Sequence, residues 1–385
     1  VVDNTAPTLT NAVLDMNTGT LKLLFDEMIK ATSVDFSKFS VASSITDGGI
    51  ALSGSTRLSA DVSTEVELSF SVDKLNELKL DTSLAVVDAS VIVLGGGAVT
   101  DMSPNEKTNV KITHAADTVT PDTTKPTLVS FTVNMATAEV ALVFSEAILA
   151  SSFKPTDVTI LKAGSSSDKY PLTGGTTQSG DGVNYILDLS ITDLNALKKD
   201  ETLVTTKFNT HIAIAAAGVT DMNGQEIAAI TEATPTQAVG FTPDNVHGTL
   251  DTWTLDMNAG TVILTFSETM DAAFANIDVA NHLSIQNQAT SAGATAITLT
   301  GSQNTGVNVD STIVTIKLLA TDLELIKAQD LLGTDEDAAD NVFDAYLYHN
   351  ADLINDQTGI SVTARTANNA LKRTSYTADT TKPVL

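Results

Sequence analysis

The stretch "LDMNAGTVILTFSETM", Leu255 to Met270, decides the fold of this chain. Its central run, Thr261 to Phe266, is rich in β-branched residues and carries apolar side chains on both faces. Asn258 to Gly260 supply a turn immediately before that run, a pattern typical of a β-hairpin rather than of a helix. We therefore predict a hairpin strand that is buried inside a β-sandwich.

The same stretch occurs three times, and three other phrases repeat with it in the same order. Self-similarity at a spacing of about 120 residues is the sequence signature of a tandem architecture. The other copies of the hairpin phrase are "LDMNTGTLKLLFDEMI" from Leu14 and "VNMATAEVALVFSEAI" from Val133. The first of the other phrases is an opener, which reads "TAPTL" from Thr5, "TPDTTKPTL" from Thr120 and "TPDNVHGTL" from Thr242. The second is a leucine phrase, which reads "FSVDKLNELK" from Phe70, "LSITDLNALK" from Leu189 and "LLATDLELIK" from Leu318. The third is an aspartate phrase, which reads "AVTDMSPNE" from Ala98, "GVTDMNGQE" from Gly218 and, more loosely, "LINDQTG" from Leu353.

These repeats divide the chain into units 1–121, 122–243 and 244–378. The opener returns once more as "DTTKPVL" in residues 379–385, which we predict to be the first strand of a further repeat, so that the chain is an excerpt of a longer tandem protein. Short alternating runs such as "VELSF" (Val66 to Phe70) are bounded by Gly, Asn, Asp, Ser and Thr clusters. The predicted fold is all-β, with three tandem Ig-like antiparallel β-sandwiches.

One short helix is predicted in each repeat. In "SITDLNALKKD", Thr192 can cap a helix whose first turn contains Asp193 and whose last turn contains Lys198. Leu194 and Leu197 lie on one face, and we expect them to turn inward, so that the helix anchors the core without a function of its own. The counterparts of the two leucines and the lysine are Leu75, Leu78 and Lys79 in the first repeat, and Leu323, Ile326 and Lys327 in the third.

The composition restricts the partners. The 385 residues carry a net charge of −26, from 47 acidic and 21 basic residues, and acidic residues outnumber basic ones in each repeat. A field of that sign repels nucleic acid and anionic lipid and attracts cations. No run approaches the roughly 18 apolar residues of a membrane span, and the absence of cysteine excludes disulfides. We expect no nucleic-acid binding and no membrane span.

Two phrases resemble a known family. "FSETMD", Phe266 to Asp271, and "GVTDMNGQEI", Gly218 to Ile227, together with openers of the form D-x-T-x-P, resemble tandem bacterial Ig-like repeats of secreted, surface-layer and adhesin-type proteins. The first repeat has Asp26 where the pattern has Ser, and the third has His247-Gly248 in place of Lys-Pro. The resemblance implies an extracellular or cell-surface location and a structural role.

Carboxylates recur at three equivalent positions: at the end of the hairpin strand, in the aspartate phrase and in the opener. Calcium requires about six to eight oxygen ligands, which carboxylates, carbonyls and water supply. Convergence of these residues at unit junctions predicts Ca²⁺ sites that stiffen the array, whereas the competing interpretation has the Glu bonding backbone amides and the Asp forming Asx-turns. The candidate metal ligands are Glu27, Asp101, Asp122, Glu146, Asp221, Asp244, Glu268 and Asp356, with Asp3 and Asp379 at the positions equivalent to Asp122.

The sequence offers little for enzyme chemistry. The five histidines do not recur at equivalent positions, and no nucleophile-elbow or phosphate-loop motif is present. The single tryptophan, Trp253, aligns with Phe131 and Ala12 in an opening strand, where core packing is expected rather than a sugar-binding platform. The acidic segment Gly333 to Asn341 lacks the central Gly and terminal Glu of a twelve-residue calcium loop, so we predict a solvated loop.

We therefore predict a non-enzymatic structural repeat region that builds a surface layer, filament or fibre, with Ca²⁺ stiffening and purely structural carboxylates as the two open interpretations of its acidic positions. Its expected partners are copies of itself or neighbouring repeats of the same longer chain. Two alternatives remain at this point. They are the stalk of an adhesin and the accessory, carbohydrate-binding region of a secreted enzyme.

Overall fold

A computed structural model of the chain describes residues 3–44, 48–59, 62–84, 90–103, 106–165, 167–303, 309–329 and 345–381. These residues form three β-sandwich domains of the same Ig-like topology, with one α-helix in each. We number the domains 1, 2 and 3 in chain order. The predicted all-β, three-domain fold is confirmed.

The strands of domain 1 are β1 (Leu9–Asp15), β2 (Thr20–Lys30), β3 (Phe39–Ala42), β4 (Ile50–Ala51), β5 (Thr56–Arg57), β6 (Val62–Ser69), β7 (Val91–Leu94), β8 (Ile112–Ala115) and β9 (Thr118–Thr120). Those of domain 2 are β10 (Leu128–Asn134), β11 (Glu139–Ile148), β12 (Val158–Leu161), β13 (Lys169–Pro171), β14 (Gly175–Thr176), β15 (Gly182–Leu189), β16 (His211–Ile214), β17 (Thr236–Gln237) and β18 (Gly240–Thr242). Those of domain 3 are β19 (Leu250–Asp256), β20 (Thr261–Met270), β21 (Leu283–Gln286), β22 (Ala296–Thr298), β23 (Ser302–Gln303), β24 (Ser311–Leu318), β25 (Tyr346–His349), β26 (Leu371–Lys372) and β27 (Ser375–Thr377).

The helices are α1 (Val72–Leu80), α2 (Ile191–Lys199) and α3 (Ala320–Lys327). Short 3-10 turns lie at Ala31–Ser33, Phe36–Lys38, Ala150–Ser152, Pro155–Asp157, Lys207–Asn209, Ala216–Gly218, Phe274–Asn276, Ala351–Leu353 and Ala367–Asn369. None of the helices that the structure describes is long and apolar enough to span a membrane.

The sheet order is the same in every domain. Domain 1 pairs a five-stranded sheet, β5-β6-β2-β1-β9, with a four-stranded sheet, β4-β3-β7-β8, and domains 2 and 3 repeat both orders. Neighbouring strands are antiparallel, except that the last strand of each domain runs parallel to the first. The two sheets enclose one hydrophobic core in each domain.

The hairpin phrase forms the central strand of the larger sheet. Along β20, Val262, Leu264 and Phe266 point into the core and are at most 3% exposed, while the residues between them are half-buried. Burying each such side chain stabilises the fold by about 1.5–3 kcal/mol. Trp253 lies opposite Leu264 in the paired strand β19 and is fully buried, which confirms its predicted place in the core.

One residue separates α2 and α3 from the strand that precedes each of them, and two residues separate α1 from β6. The Ser190 side chain accepts a hydrogen bond from the backbone N–H of Asp193 at 3.1 Å, so Ser190 is the N-cap of α2. The prediction that Thr192 caps this helix is wrong, because Thr192 already lies in the first turn. Leu194 and Leu197 face the core as predicted.

The opener phrases connect the domains rather than forming strands. Strand β10 begins at Leu128, so residues 122–127 precede it as a linker. In the predicted strand 379–385, Asp379 to Thr381 are described and are not in a strand, and 382–385 lie outside the described residues. The predicted acidic loop at 333–341 also lies outside them.

Candidate functional site

The predicted carboxylates converge into three clusters, one in each domain. Within each cluster, one carboxylate oxygen from each residue lies within 4.8 Å of the others. The linker supplies one Asp, the central strand supplies the Glu, and a later loop supplies the second Asp. We call them cluster 1 (Asp3, Glu27, Asp101), cluster 2 (Asp122, Glu146, Asp221) and cluster 3 (Asp244, Glu268, Asp356).

A break in strand pairing positions the Glu of each cluster. Along β11, the register against β15 shifts between Val143 and Ile148, so that the chain bulges where Glu146 lies. Bulges of this kind redirect side chains away from the regular ladder. The bulge is held by the linker, because the N–H of Ser145 donates to the carbonyl of Thr127 and the N–H of Thr127 donates to Ser145 Oγ.

The same clamp holds in the other two domains. Ser267 and Thr249 repeat it in domain 3, and Asp26 replaces the serine in domain 1, where Asp26 Oδ1 accepts from the N–H of Thr8 at 2.9 Å. The substitution His247-Gly248 also preserves the junction. The Gly248 carbonyl accepts from the N–H of Thr363, as the Pro126 carbonyl does from its counterpart in domain 2.

The loop aspartates form Asx-turns and are buried. Asp221 Oδ1 accepts from the backbone N–H of Asn223 at 2.8 Å and of Gln225 at 2.7 Å. Asp101 and Asp356 make the equivalent turns. The second oxygen, Oδ2, of both Asp101 and Asp221 is buried without a hydrogen-bond partner. The turn therefore accounts for only one oxygen of each of these two carboxylates.

A lysine from the preceding domain enters clusters 2 and 3. Lys79, in α1 of domain 1, places Nζ 2.7 Å from Asp122 Oδ2 and 2.5 Å from Glu146 Oε2. Lys198, in α2 of domain 2, likewise bonds Asp244 at 2.6 Å and also pairs with Glu268. The side chains of both lysines are 8% exposed.

An asparagine one helical turn earlier makes a second contact across each junction. Asn76 Oδ1 accepts from the backbone N–H of Ala147 at 3.0 Å, and Asn195 Oδ1 does the same for Thr269 at 3.0 Å. Positions i and i+3 share one face of a helix, so the Asn and the Lys contact the bulge together. We call the pairs Asn76 with Lys79, and Asn195 with Lys198, the helix lock of the first and second junction.

Burial and charge set the protonation of cluster 2. Burial raises the pKa of Glu146 to about 7, against the opposing effect of the Lys79 ammonium. Burial acts to lower the pKa of Lys79, but its hydrogen bonds to Asp122 and Glu146 outweigh this and the pKa is raised. With every group ionised, three carboxylates and one ammonium leave a local charge of −2.

The same effects operate in the other clusters. The pKa of Glu268 is raised by burial, and the pKa of Lys198 is raised by its two carboxylate partners despite burial. The pKa of Glu27 is raised by burial and then by the charges of Asp101 and Asp3. All three glutamates therefore occupy sites that disfavour an uncompensated negative charge.

Residues equivalent to those of the lock are placed differently near the two ends of the described chain. Glu27 and Asp101 of cluster 1 form no ion pair within the part of the chain that the structure describes. At the other end, Lys327 of α3 pairs with Asp379 at 2.8 Å, with the two side chains 30% and 26% exposed. Glu324 takes the place that Asn76 and Asn195 hold in the other helices.

The sequence interpretation missed the helix lock. It placed Lys79 and Lys198 at helix C-termini and predicted that each helix only packs on the core of its own domain. That interpretation is incomplete, because the polar face of α1 and of α2 also contacts the next domain. The signal was present in the repeats, since the lysine recurs in all three helices and the asparagine in two.

Comparison with known proteins adds little to this picture. No family model matches the chain, and no curated protein matches it. Among solved structures, the chain is similar to the N-terminal part of the bacterial S-layer protein SbsC (12% identity, TM-score 0.21), covering 48% of this chain and 44% of that one. It is also similar to a three-Ig structure of titin (9%, TM-score 0.18, 96% of this chain and 98% of that one).

A third similar structure comprises the N-terminal four Ig domains of a Dscam1 isoform (8% identity, TM-score 0.17, 97% of this chain and 78% of that one). At these scores the comparisons carry no argument about function. The chain spans less than half of the S-layer fragment that it matches.

Proposed function

We propose that this chain is a non-enzymatic structural segment of an extracellular or cell-surface protein, in which stiff domain junctions build a surface layer, filament or fibre. The observation that carries the proposal is the helix lock, which occurs in the same form at both junctions. Joined domains move relative to one another by default unless their interface prevents it. Here the interface is specific, because a lysine must meet two carboxylates while an asparagine meets a backbone N–H.

The lock acts through orientation more than through net stability. Desolvating a buried ion pair costs about as much as its Coulomb attraction returns, so such pairs contribute little net free energy. Rotating one domain, however, would separate the ammonium from carboxylates that are 3–6% exposed, and a charge left in such a site without its partner is unfavourable. We therefore expect one relative domain placement to be strongly preferred.

The linkers add to this restraint. Asn17 Oδ1, in the first hairpin of domain 1, accepts from the N–H and hydroxyl of Thr123 and from the hydroxyl of Thr124. Asn258 makes the same three bonds to Thr380 and Thr381 after domain 3. The linker is hydrogen-bonded to the preceding domain on one side and to the bulge of the next domain on the other. Few of its backbone torsion angles are therefore free to change.

We further propose that the clusters bind Ca²⁺. Carboxylate oxygens are the ligands that this ion prefers, and the unpartnered Oδ2 atoms of Asp101 and Asp221 fit such a role. In clusters 2 and 3 the lysine already contacts two carboxylates, and the remaining charge of −2 matches one divalent ion. Among the described residues, no lysine pairs with Glu27 or Asp101 of cluster 1, so we expect these two carboxylates to be open to the ion. Bound there, the ion would neutralise the repulsion among the carboxylates.

Stiffness is tested by small-angle X-ray scattering on the dilute full chain. We expect the wild type to scatter as one rigid particle, and the double variant Lys79→Ala/Lys198→Ala to show the broadened distance distribution of a flexible chain. Lys169→Glu, which alters a surface pair with Glu232, should leave the profile unchanged. A wild-type profile as flexible as that of the double variant would refute the proposal.

Calcium binding is tested by thermal unfolding in excess Ca²⁺ and in EDTA. We expect a higher melting temperature with Ca²⁺ and a smaller difference in Asp101→Asn, which keeps the Asx-turn oxygen but removes the charge. Identical melting curves in the two conditions would exclude the calcium proposal and leave the proposal of stiff junctions intact.

A surface layer and an adhesin stalk both need stiff junctions. Electron microscopy separates them, because layer or filament subunits form ordered assemblies whereas a stalk remains as separate rods. The single tryptophan is not exposed as a sugar-binding platform, which weakens the carbohydrate-binding alternative. Trp253 is fully buried, and its Nε1–H donates to the Leu371 carbonyl at 2.7 Å.

A further inference from the structure

A buried amine and a buried carboxylate lie in contact at each internal junction. Nζ of Lys79 is 2.7 Å from Oδ2 of Asp122 at the first junction, and Nζ of Lys198 is 2.6 Å from Oδ2 of Asp244 at the second. All four side chains are less than a tenth exposed. We propose that each pair condenses to an amide bond between the lysine Nζ and the aspartate Cγ, which crosslinks neighbouring domains covalently.

A glutamate lies beside the reacting atoms of each junction. Glu146 Oε2 is 2.5 Å from Lys79 Nζ, and the Glu146 side chain is also within hydrogen-bonding reach of Asp122. Glu268 pairs with Lys198 in the same way, and its second oxygen, Oε1, is buried without a hydrogen-bond partner. A carboxylate in contact with the nucleophile can take up a proton as a general base and return it as a general acid. Each glutamate is therefore the catalytic residue of its junction.

The two oxygens of each reacting aspartate have different surroundings. Asp122 Oδ1 accepts a hydrogen bond from the backbone N–H of Thr124 at 3.1 Å, and Asp244 Oδ1 accepts one from the N–H of Val246 at 3.2 Å. A backbone N–H in this position stabilises the negative charge that develops on the oxygen when an amine adds to the carbon. Oδ2 contacts the lysine, so it is the oxygen that receives protons and leaves as water.

The atoms and charges of the condensation balance within the site. The Lys79 ammonium passes one proton to Asp122 Oδ2 by way of Glu146, and the neutral Nζ then adds to Cγ and forms the C–N bond. A second proton follows the same path from Nζ to Oδ2, the Cγ–Oδ2 bond breaks, and one water molecule leaves. An ammonium and a carboxylate thus become a neutral amide and water, and Glu146 ends as it began. No oxidant, reductant or further reactant is required.

Burial favours the amide over the ion pair. Water stabilises separated ions by solvating both charges, but a buried site removes that solvation, and a neutral group is then less unfavourable than two charges. Contact between the reacting groups also makes the reaction intramolecular, which removes the entropic cost of bringing an amine and a carboxyl group together from solution. The folding that builds the helix lock therefore also prepares its charged partners to react.

The third helix provides an internal comparison. Lys327 Nζ is 2.8 Å from Asp379 Oδ2, and Asp379 Oδ1 accepts from the N–H of Thr381, but the lysine and the aspartate are 30% and 26% exposed. Water solvates both charges at this pair. Among the described residues, the other carboxylate that Lys327 contacts is the exposed Glu324 of its own helix. We therefore expect no amide bond between Lys327 and Asp379.

The crosslink is compatible with the proposed binding of Ca²⁺. Condensation consumes one ammonium and one carboxylate, so cluster 2 keeps Glu146 and Asp221 and its local charge remains −2. The new amide carbonyl is an oxygen of the kind that calcium accepts. The inference goes beyond the proposed function, because stiff junctions do not require a covalent bond.

The test is the intact mass of the full chain, measured under denaturing conditions after the folded protein has been incubated at neutral pH to a constant mass. We expect the wild type to be lighter than its sequence by two water molecules, one for each junction. Lys79→Arg and Lys198→Arg should each be lighter by one, because arginine keeps the positive charge but does not condense. The double variant should have its full sequence mass, and the matched control Lys327→Arg should lose two water molecules like the wild type.

The role of the glutamate is tested by Glu146→Gln. This variant keeps the shape of the side chain but cannot carry a proton, so we expect it to lose one water molecule, from the second junction. A tryptic digest locates the bonds, since trypsin does not cleave after an acylated Lys79, and a branched peptide then joins the segments that contain Lys79 and Asp122. Unchanged far-ultraviolet circular dichroism checks that each variant is folded.

A wild type whose mass equals that of its sequence would overturn the inference. A loss of water that persists in the double variant Lys79→Arg/Lys198→Arg would overturn it as well, since the water would then come from another site. Neither result bears on stiffness, which is measured by scattering. A rigid chain without crosslinks would therefore refute this inference and leave the proposed function standing, whereas a flexible chain with both crosslinks would do the reverse.

Discussion

The two internal junctions and the segment after domain 3 present the same helix in different surroundings. Lys79 and Lys198 each bond two carboxylates and are 8% exposed, whereas Lys327 bonds Asp379 across the junction and is 30% exposed. All three lysines occupy the last turn of their helix. The difference arises from the domain that follows, because it supplies the bulge Glu and covers the lysine.

This comparison shows that the lock is a property of two domains rather than of one. Removing one partner of a buried ion pair destabilises by about 3–5 kcal/mol, since the other charge is left buried without compensation. An exposed pair contributes far less. Identical substitutions at the three lysines should therefore have very different consequences.

The largest effect is expected for Lys198→Ala at the second junction. The substitution leaves Asp244 and Glu268 buried without a cation, at a cost of about 3–5 kcal/mol in the closed state, so we expect the junction to open. Trp253 is the single tryptophan and lies in the core of domain 3. Its fluorescence therefore reports the unfolding of that domain alone, and the urea midpoint should fall.

The matched control is Lys79→Ala at the first junction. It should open the contact between domains 1 and 2 while leaving the Trp253 midpoint unchanged, because the ion-pair partners of Lys79 are Asp122 in the first linker and Glu146 in domain 2. Equal shifts of the Trp253 midpoint in both variants would show that the lysines act through a global property such as net charge.

A smaller effect is expected from the protonation of Glu146. Its folded-state pKa, about 7, lies above the unfolded value of 4.5. The stability that this group contributes is therefore fully present below pH 4.5 and is lost as the pH rises through 7. A shift of this size corresponds to about 3 kcal/mol at most, and we expect roughly 1–2 after screening by solvent.

Calorimetry of Glu146→Gln against the wild type measures this contribution. The neutral variant should lose less stability between pH 4.5 and pH 8 than the wild type does. Burial lowers the pKa of His211 and of His349, which opposes the trend near pH 6, but both are present in either protein and cancel in the difference. Parallel curves for the two proteins would show that Glu146 is ionised throughout this range.

Much of this architecture follows from the sequence because repetition exposes it. Three copies of the hairpin phrase with alternating apolar residues predict the central strand, and the shared spacing of the glutamates and loop aspartates places them at equivalent points of equivalent domains. Each repeat carries the same residues at the same spacing within one domain. The convergence of Glu146 and Asp221 inside domain 2 could therefore be predicted from the sequence.

The helix lock could not be predicted in the same way. A lysine in the last turn of a helix is favoured by the helix dipole, whether or not it has a partner, so Lys198 alone gives no sign of leaving its domain. Its partner Glu268 lies 70 residues away in a domain whose orientation no local pattern specifies. The N-cap of α2 was missed for a simpler reason, since Ser190 and Thr192 are both capping residues two positions apart.

A more modest loss is expected for Asn195→Ala. The substitution leaves the buried N–H of Thr269 without its acceptor, and an unsatisfied buried donor of this kind costs about 1–2 kcal/mol. The Trp253 midpoint should fall by less than in Lys198→Ala. The control is Glu324→Ala, at the equivalent position of α3, where the side chain is 71% exposed.

The smallest effect is expected for Lys327→Ala. The ion pair with Asp379 is partly open to water, and an exposed pair gains little because solvent screens both charges and ordering two side chains costs entropy. In the dilute chain the Trp253 midpoint should stay within the scatter of repeated measurements, although α3 belongs to the same domain as the reporter. A shift as large as that of Lys198→Ala would mean that the lysine stabilises its own helix, and the contrast between covered and uncovered junctions would then have no energetic basis.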